Sequence, residues 1–254
     1  MAKNLREERL GAVRTNRHGS KMEVIEYNGN HDIYVKFTKG DVVHTDWKAF
    51  CKGEVVSVYD RTVYEVGYLG EGVYNPSEGG VVTRRYESWK HMLSRCYSAK
   101  FQKKRDTYIG CTVVPEWHNF QNFAKWYDEN YYEIEGETMC LDKDIVFKGN
   151  RVYSPDACIF VPNRINVLIV NAKKIRGDLP IGVYYDKTKN KYKAQGNIRG
   201  KVQNLGRFNT VGEAFASYKH HKEQYIKEIA LEYKDRVPLD VYLALALYEV
   251  DIND

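Results

Sequence analysis

The fold of the C-terminal part of the chain is decided by residues 181–218, which read IGVYYDKTKNKYKAQGNIRGKVQNLGRFNTVGEAFASY. Polar and apolar residues alternate over 181–185, 191–198 and 201–208, and short turns separate these three segments. Such alternation is typical of strands that bury one face only, because successive side chains point to opposite sides of a sheet. The stretch therefore predicts a three-stranded antiparallel sheet.

A long helix is predicted to follow the third strand, over residues 210–233. Thr210 and Glu213 have the spacing of a capping box, in which the two side chains satisfy each other's backbone N–H groups at the start of a helix. The apolar residues after this cap would cover one face of the sheet: Ala214, Phe215, Tyr218, Tyr225 and Ile229. Nothing in the sequence supplies a cover for the opposite face.

The second strand shows which side chains the uncovered face would present. If Tyr192 and Ala194 face the helix, the pleat sends Lys193, Gln195 and Asn197 to the opposite side. Lysine neutralises phosphate groups, whereas the amides of Gln and Asn carry the paired donor and acceptor that suit a base edge in the major groove. Two interpretations stay open here: a DNA-reading face, or the solvated face of an ordinary sheet-and-helix unit.

Four short motifs in this part of the chain, in the same order, resemble those of the AP2 domain, a DNA-binding family. The family pattern GV-x-x-D, K-W-x-A, LG-x-F-x-T and EA-x-x-A-Y is approached here by Gly182–Asp186, Lys191–Ala194, Leu205–Thr210 and Glu213–Tyr218. The resemblance implies a sheet that lies in the major groove, with double-stranded DNA as the partner. One departure is Tyr192, which stands where the family usually has Trp.

Positive charge is concentrated in two segments of the sequence. Residues 84–105 hold eight Lys or Arg and one Glu, and residues 181–207 hold seven Lys or Arg and one Asp, whereas the net charge of the chain is only +5. The rest of the chain is therefore acidic on balance. A surface that binds a polyanion needs such a concentration, because each neutralised phosphate releases condensed counterions. Two solvated basic faces would give the same pattern.

Base specificity does not carry over from the resemblance, because Tyr184 and Asn197 are among the residues that replace the sheet arginines of plant members. Sequence reading is expected from four residues of the sheet: Tyr184, Lys193, Gln195 and Asn197. Affinity for the DNA backbone is expected from basic residues along the chain: Arg84, Arg85, Lys103, Lys104, Arg105, Lys173, Lys174, Arg199 and Lys201.

The whole chain is predicted to be α+β with three domains. Residues 1–78 are expected to form a small β-barrel or meander with an N-terminal arm, and residues 79–172 a central α+β module of the ββα-metal type. Residues 173–254 would hold the AP2-like sheet and helix. Strands of the first domain are predicted over 21–27, 31–37, 42–47 and 55–59, and helices of the second over 84–97 and 120–132. Residues 67–80, rich in Gly, Asn, Ser and Pro, predict a linker.

The middle of the chain is similar in layout to an HNH nuclease site. The letters LDKDI at 141–145 are followed by GNR at 149–151 and by Asn166. The similarity implies catalytic roles for Asp142, Lys143 and Asn150, and a Mg²⁺ ion held by Asp142, Asp144 and Asn150. Lys143 departs from the family, because it stands where a general-base His is expected, and a lysine ammonium cannot take a proton from water. A base would then have to come from His91 or His118.

The arrangement as a whole resembles phage-encoded HNH/AP2 proteins of the homing-endonuclease type, and three hypotheses for its function stay open. The leading one is a DNA-binding protein whose HNH-like site is inactive or altered. The second is a Mg²⁺-dependent nicking or homing endonuclease, and the third is a protein that binds a host protein, such as an inhibitor of antiviral defence.

Several other classes are not expected from the sequence. No phosphate-cradling GxxxxGK[ST] motif is present, so no nucleotide cofactor is expected. The five cysteines are widely spaced without a CxxC pair and are expected to be free thiols. No apolar run approaches the roughly 20 residues of a membrane-spanning helix, and the start of the chain has no apolar signal segment. We therefore expect no membrane partner and a cytoplasmic protein, in the host cell if the chain is phage-encoded.

Overall fold

The computed structural model describes residues 5–169 and 178–254. The described part is mixed α+β, which confirms the predicted fold class. Within these two ranges, no helix has the length and apolar character needed to cross a membrane.

The chain forms two compact units. The N-terminal unit comprises Met1–Tyr131 with Arg151–Pro155, and the C-terminal unit comprises Tyr132–Asn150 with Asp156–Asp254. These units divide the chain differently from the three predicted domains: the boundary predicted after residue 78 lies inside the N-terminal unit. The boundary predicted after residue 172 lies outside the described residues.

The helices and strands fall into two groups along the chain. Up to residue 131 they are α1 Leu5–Arg9, β1 Val13–Thr15, β2 Lys21–Gly29, β3 Asp32–Phe37, β4 Val42–Thr45, α2 Trp47–Lys52, β5 Ser77–Glu78, β6 Val81–Val82, α3 Arg84–Tyr97, α4 Ala99–Gln102, β7 Thr112–Val113 and α5 Phe120–Asn130. After residue 131 they are β8 Met139–Asp142, β9 Val152–Tyr153, β10 Ile159–Pro162, α6 Asn163–Leu168, β11 Val183–Asp186, β12 Lys191–Ile198, β13 Lys201–Phe208, α7 Val211–Tyr233 and α8 Leu239–Ala246.

The first four strands form an antiparallel meander in the order β1-β2-β3-β4, and no barrel closes among the described strands. Alternate residues of β2 and β3 are buried together with Phe50 of α2, as the alternating sequence requires. The chain turns into α2 because the Asp46 carboxylate caps that helix, accepting a hydrogen bond from the Ala49 N–H at 2.8 Å. Residues 55–59, predicted as a strand, do not form one.

Helices α3 and α5 form the second part of the N-terminal unit, close to their predicted bounds. The apolar stripe of α3 is buried as expected, and the Trp89 indole N–H donates a hydrogen bond to the Trp117 carbonyl at 2.7 Å. The segment 67–80, predicted as a linker, is instead tied to α5. The Gln121 side chain donates to the Tyr74 carbonyl at 2.9 Å and accepts from the Tyr74 N–H at 3.0 Å.

The first strands of the C-terminal unit form a two-stranded sheet. Strands β8 and β10 pair antiparallel, and α6 follows β10 directly. Their apolar residues share one core with the second half of α7 and with α8. This core includes Val161, Ile165, Ile226, Ile229 and Val241.

The three-stranded sheet and its helix agree closely with the sequence prediction. The strand order is β11-β12-β13, and Ala194 of the middle strand is fully buried beneath α7 with Phe215 and Tyr218. Both hydrogen bonds of the capping box are present: the Thr210 side chain accepts from the Glu213 N–H, and the Glu213 side chain accepts from the Thr210 N–H. One feature was not predicted: the register of β12 and β13 shifts between Ala194 and Gln195, which marks a bulge in β13.

We predict that Gly182→Ala lowers the free energy of unfolding more than Gly200→Ala does. Both glycines have a positive φ, 76° and 75° respectively. A Cβ at Gly182 would lie 2.0 Å from the Tyr218 ring, whereas nothing lies within 4 Å of one at Gly200. Gly200→Ala is expected to lower the free energy of unfolding by about 1 kcal/mol through backbone strain. Gly182→Ala is expected to lower it by about 3 kcal/mol, because the clash is added to the strain.

Urea unfolding of both variants measures this difference. Equal losses would contradict the close packing of α7 on the start of β11.

Candidate nucleic-acid interface

The face of the sheet opposite α7 carries polar side chains from all three strands. The strand register aligns Tyr184, Lys193 and Arg207 in one row across the sheet. A second row pairs Gln195 with Asn204, and a third pairs Asn197 with Val202. We call this surface the open face and define it by seven residues: Tyr184, Lys193, Gln195, Asn197, Val202, Asn204 and Arg207. The four residues predicted to read sequence all lie on it.

Hydrogen bonds hold several open-face side chains in place. The Lys193 ammonium donates to the Gln195 side-chain oxygen at 2.7 Å. The Arg207 guanidinium donates to the Asp186 carboxylate at 3.0 Å. Hydrogen bonds from Thr188 and from Arg207 lower the pKa of the Asp186 carboxyl to about 2, so this carboxylate is ionised over the physiological range. The cations of the open face are therefore oriented by the protein itself.

Two basic residues predicted to bind DNA lie at the turn between β12 and β13. Arg199 has a positive φ of 54° and donates to the Glu228 carboxylate of α7 at 2.9 Å, which directs its guanidinium toward the helix side of the sheet. Lys201 is exposed at the first position of β13, opposite Ile198. Ile198 packs against the core, so neither cation belongs to the open face.

Sequence reasoning missed three open-face residues: Val202, Asn204 and Arg207. Val202 is 66% exposed and Asn204 is exposed as well. The alternation of β13 could have revealed Val202 and Asn204, because residues two apart in a strand lie on the same face. The bulge at Leu205 then shifts the parity, so that Arg207 lies on the same face while Leu205 packs against the core.

The N-terminal unit carries the other predicted basic surface, on α3 and the segment after α4. Arg84, Lys103, Lys104 and Arg105 are exposed. Within the described residues, Lys103, Lys104 and Arg105 form no ion pair with an acidic side chain. Arg85 differs, because its guanidinium forms ion pairs with the carboxylates of Glu78 and Asp128.

Lys173 and Lys174, also predicted to bind DNA, lie outside the described residues.

The HNH-like residues lie in the loop that follows β8, and this loop is closed by its own hydrogen bonds. The Asp142 carboxylate accepts from the backbone N–H groups of Asp144 at 2.8 Å and Ile145 at 2.7 Å. The Lys143 ammonium donates to the Asp144 carboxylate at 3.0 Å and to the Asn150 carbonyl at 2.8 Å. The Asn150 side-chain amide donates to the Lys143 carbonyl at 2.7 Å.

These residues do not fit a Mg²⁺ ion. Magnesium requires near-octahedral oxygen ligands, and here the Lys143 ammonium lies between the Asp144 carboxylate and the Asn150 carbonyl. A second cation at that point would meet the repulsion of the first. No cluster of three or more His, Cys, Asp or Glu side chains suitable for a metal occurs in residues 5–169 and 178–254.

The two histidines considered as a general base belong to the N-terminal unit. His118 packs against the Tyr97 ring, and its Nε2 lies 3.2 Å from the Val113 carbonyl. Burial lowers the pKa of His118 below its usual range. His91 is exposed on α3. The surroundings of these two histidines do not indicate a role in proton transfer.

Comparison with known proteins finds no family model, no curated protein and no solved structure that matches this chain.

We predict a pH dependence of stability that arises from Asp142. Burial raises the pKa of its carboxyl from the ordinary 3.8 to about 6, and the nearby negative charge of Asp144 adds to the shift. The folded state therefore binds this proton more tightly than the unfolded state does. The stabilisation is fully present below the unfolded pKa and is lost as the pH rises to about 6, by at most about 3 kcal/mol.

Unfolding of the wild type and of Asp142→Asn between these pH values, with exposed Asp156→Asn as the control, measures this contribution. The wild type is expected to lose stability relative to Asp142→Asn as the pH rises. A difference that does not change with pH would contradict the burial of this carboxyl.

Proposed function

We propose that this protein binds double-stranded DNA and reads sequence in the major groove with the open face of its C-terminal sheet. The observation that supports the proposal most strongly is the open face itself, where amides and cations from β12 and β13 lie side by side, next to Tyr184 of β11. Three amides supply the paired donors and acceptors that suit base edges, and two cations on the same face supply the positive charge that suits phosphates. The proposal also agrees with the AP2 resemblance of the sequence.

The shape of the sheet suits this role. The major groove is about 12 Å wide and admits a narrow β-ribbon or an α-helix. Amide side chains at the centre of the open face would meet base edges, whereas exposed lysines in the turns around it would meet phosphates. Lys187 and Lys189 occupy the β11–β12 turn, and Lys201 follows the β12–β13 turn.

The exposed cations of the N-terminal unit would add affinity that does not depend on sequence. Lys103, Lys104 and Arg105 carry no internal ion pair in the described part of the chain, so their charges remain available to phosphates. Arg85 contributes less in this proposal, because Glu78 and Asp128 already neutralise it. Each phosphate contact makes the fall of log K with the logarithm of the salt concentration steeper by about 0.9.

We propose binding without cleavage. A hydrolytic site needs a group that takes a proton from water, and the position expected for that group holds Lys143, whose ammonium donates two hydrogen bonds. The poor fit to Mg²⁺ supports the same conclusion.

We further propose that the protein acts in the cytoplasm, in the host cell if the chain is phage-encoded. If the protein did not bind DNA at all, capture of a host protein would be the favoured function.

The experiment that tests this proposal is a binding and cleavage assay on labelled duplex DNA, with and without Mg²⁺ or Mn²⁺, across a salt titration. Salt-dependent binding without strand breaks is expected. Metal-dependent nicks that disappear in Asp142→Ala would contradict the non-cutting proposal, and an absence of binding at low salt would contradict the DNA-binding proposal.

We predict that Lys103→Glu combined with Lys104→Glu weakens binding to all duplex sequences alike. The logarithmic salt slope is expected to flatten by about 2, because two phosphate contacts are lost. Lys125→Glu is the matched control, since Lys125 is an exposed lysine of α5 outside the two basic segments. An unchanged salt slope in the double variant, measured by fluorescence anisotropy, would remove these two residues from the interface.

A further inference from the structure

The second and third rows of the open face hold three amides and one aliphatic side chain. Gln195 lies directly opposite Asn204, and Asn197 lies directly opposite Val202. Val202 is 66% exposed, so an isopropyl group stands in solvent among three amides. Neither row contains an arginine or a lysine.

The cations of the open face lie together in the first row, beside Tyr184. The Arg207 guanidinium donates to the Asp186 carboxylate through its Nε, which holds it in that row. Lys193 is bound to the Gln195 oxygen. Guanine is most often read by an arginine or lysine that bonds its O6 and N7, so the second and third rows are poorly equipped to select guanine.

The second and third rows instead match the edge of an A·T pair. The amide of Asn or Gln bonds the N6 and N7 atoms of adenine with its paired acceptor and donor, and an apolar side chain contacts the C5 methyl of thymine. Adjacent rows on one face are about 6.6 Å apart along a strand, close to two base-pair steps of about 3.4 Å. The two rows can therefore contact base pairs that lie two steps apart.

Resting on the proposed function, we infer that the open face recognises an A·T-containing site, with Gln195 and Asn204 as adenine readers and Val202 as a contact for a thymine methyl. The Lys193 hydrogen bond orients the Gln195 amide before DNA arrives. Arg207, held by Asp186 in the first row, lies outside the two rows that would read the A·T pairs.

The test begins with selection of binding sites from a random duplex library by the full chain. An A·T-containing core is expected in the selected sites. Replacement of thymine by uracil in that core deletes only the methyl group and is expected to weaken wild-type binding by about fourfold. In Val202→Ala the same replacement is expected to have a smaller effect, because the shorter side chain lies farther from the methyl group.

The amides are tested by Asn204→Ala and Gln195→Ala, each expected to lower the preference for the selected site over random duplex by about tenfold. Gln203→Ala is the matched control, because Gln203 is an exposed amide of the same strand but of the opposite parity, facing Gly196 across the register. Circular dichroism of each variant checks that the sheet is formed.

The outcomes separate this inference from the function on which it rests. Salt-dependent DNA binding with a G·C core, or with no effect of uracil, would overturn the A·T inference and leave the DNA-binding proposal standing. A loss of preference in Gln203→Ala equal to that in Asn204→Ala would also overturn it. An absence of any duplex binding would overturn both.

Discussion

Helix α7 packs against one face of a three-stranded sheet, and the rest of the C-terminal unit depends on this contact. Ala194 at the centre of the sheet is fully buried, and a side chain at Gly182 would strike the Tyr218 ring. The second half of the same helix joins another core with α6, β10 and α8. A single helix covers only one face of the sheet. The opposite face is therefore exposed, and most of its side chains are polar.

The loop after β8 satisfies its acidic side chains with groups of its own chain. The carboxylates of Asp142 and Asp144 and the amide of Asn150 are the kinds of groups that hold a divalent ion. Here they bond backbone groups and the Lys143 ammonium, which supplies the positive charge from within the chain. The cost of burying Asp142 is visible in its raised pKa. The loop is thus closed without a metal.

Local patterns in the sequence were enough to predict the three-stranded sheet and helix α7. The capping box of Thr210 and Glu213 marked the start of α7, and the alternation of β12 assigned Lys193, Gln195 and Asn197 to the correct face. The N-terminal sheet was predicted less well. The turn into α2 depends on the single carboxylate of Asp46, and a strand pattern does not reveal such a cap.

The candidate site was predicted only in part, because its charges have partners far away in sequence. Arg85 is neutralised by Asp128, and Arg199 by Glu228 of α7, and neither pairing follows from a local pattern. Val202, Asn204 and Arg207 share the open face only because of a one-residue bulge in β13. A bulge reverses the parity of every residue beyond it, so alternation alone misassigns one side of that strand.

The most direct test of the central claim is photo-crosslinking of the full chain to duplex DNA, with benzoylphenylalanine placed at one position at a time. Tyr184 and Val202 are exposed on the open face, and Leu231 is 65% exposed on α7, away from it. DNA adducts at positions 184 and 202 but not at 231 are the predicted result. Adducts at 231 with none at 184 and 202, under conditions where the protein binds DNA, would contradict the claim that the open face lies against the groove.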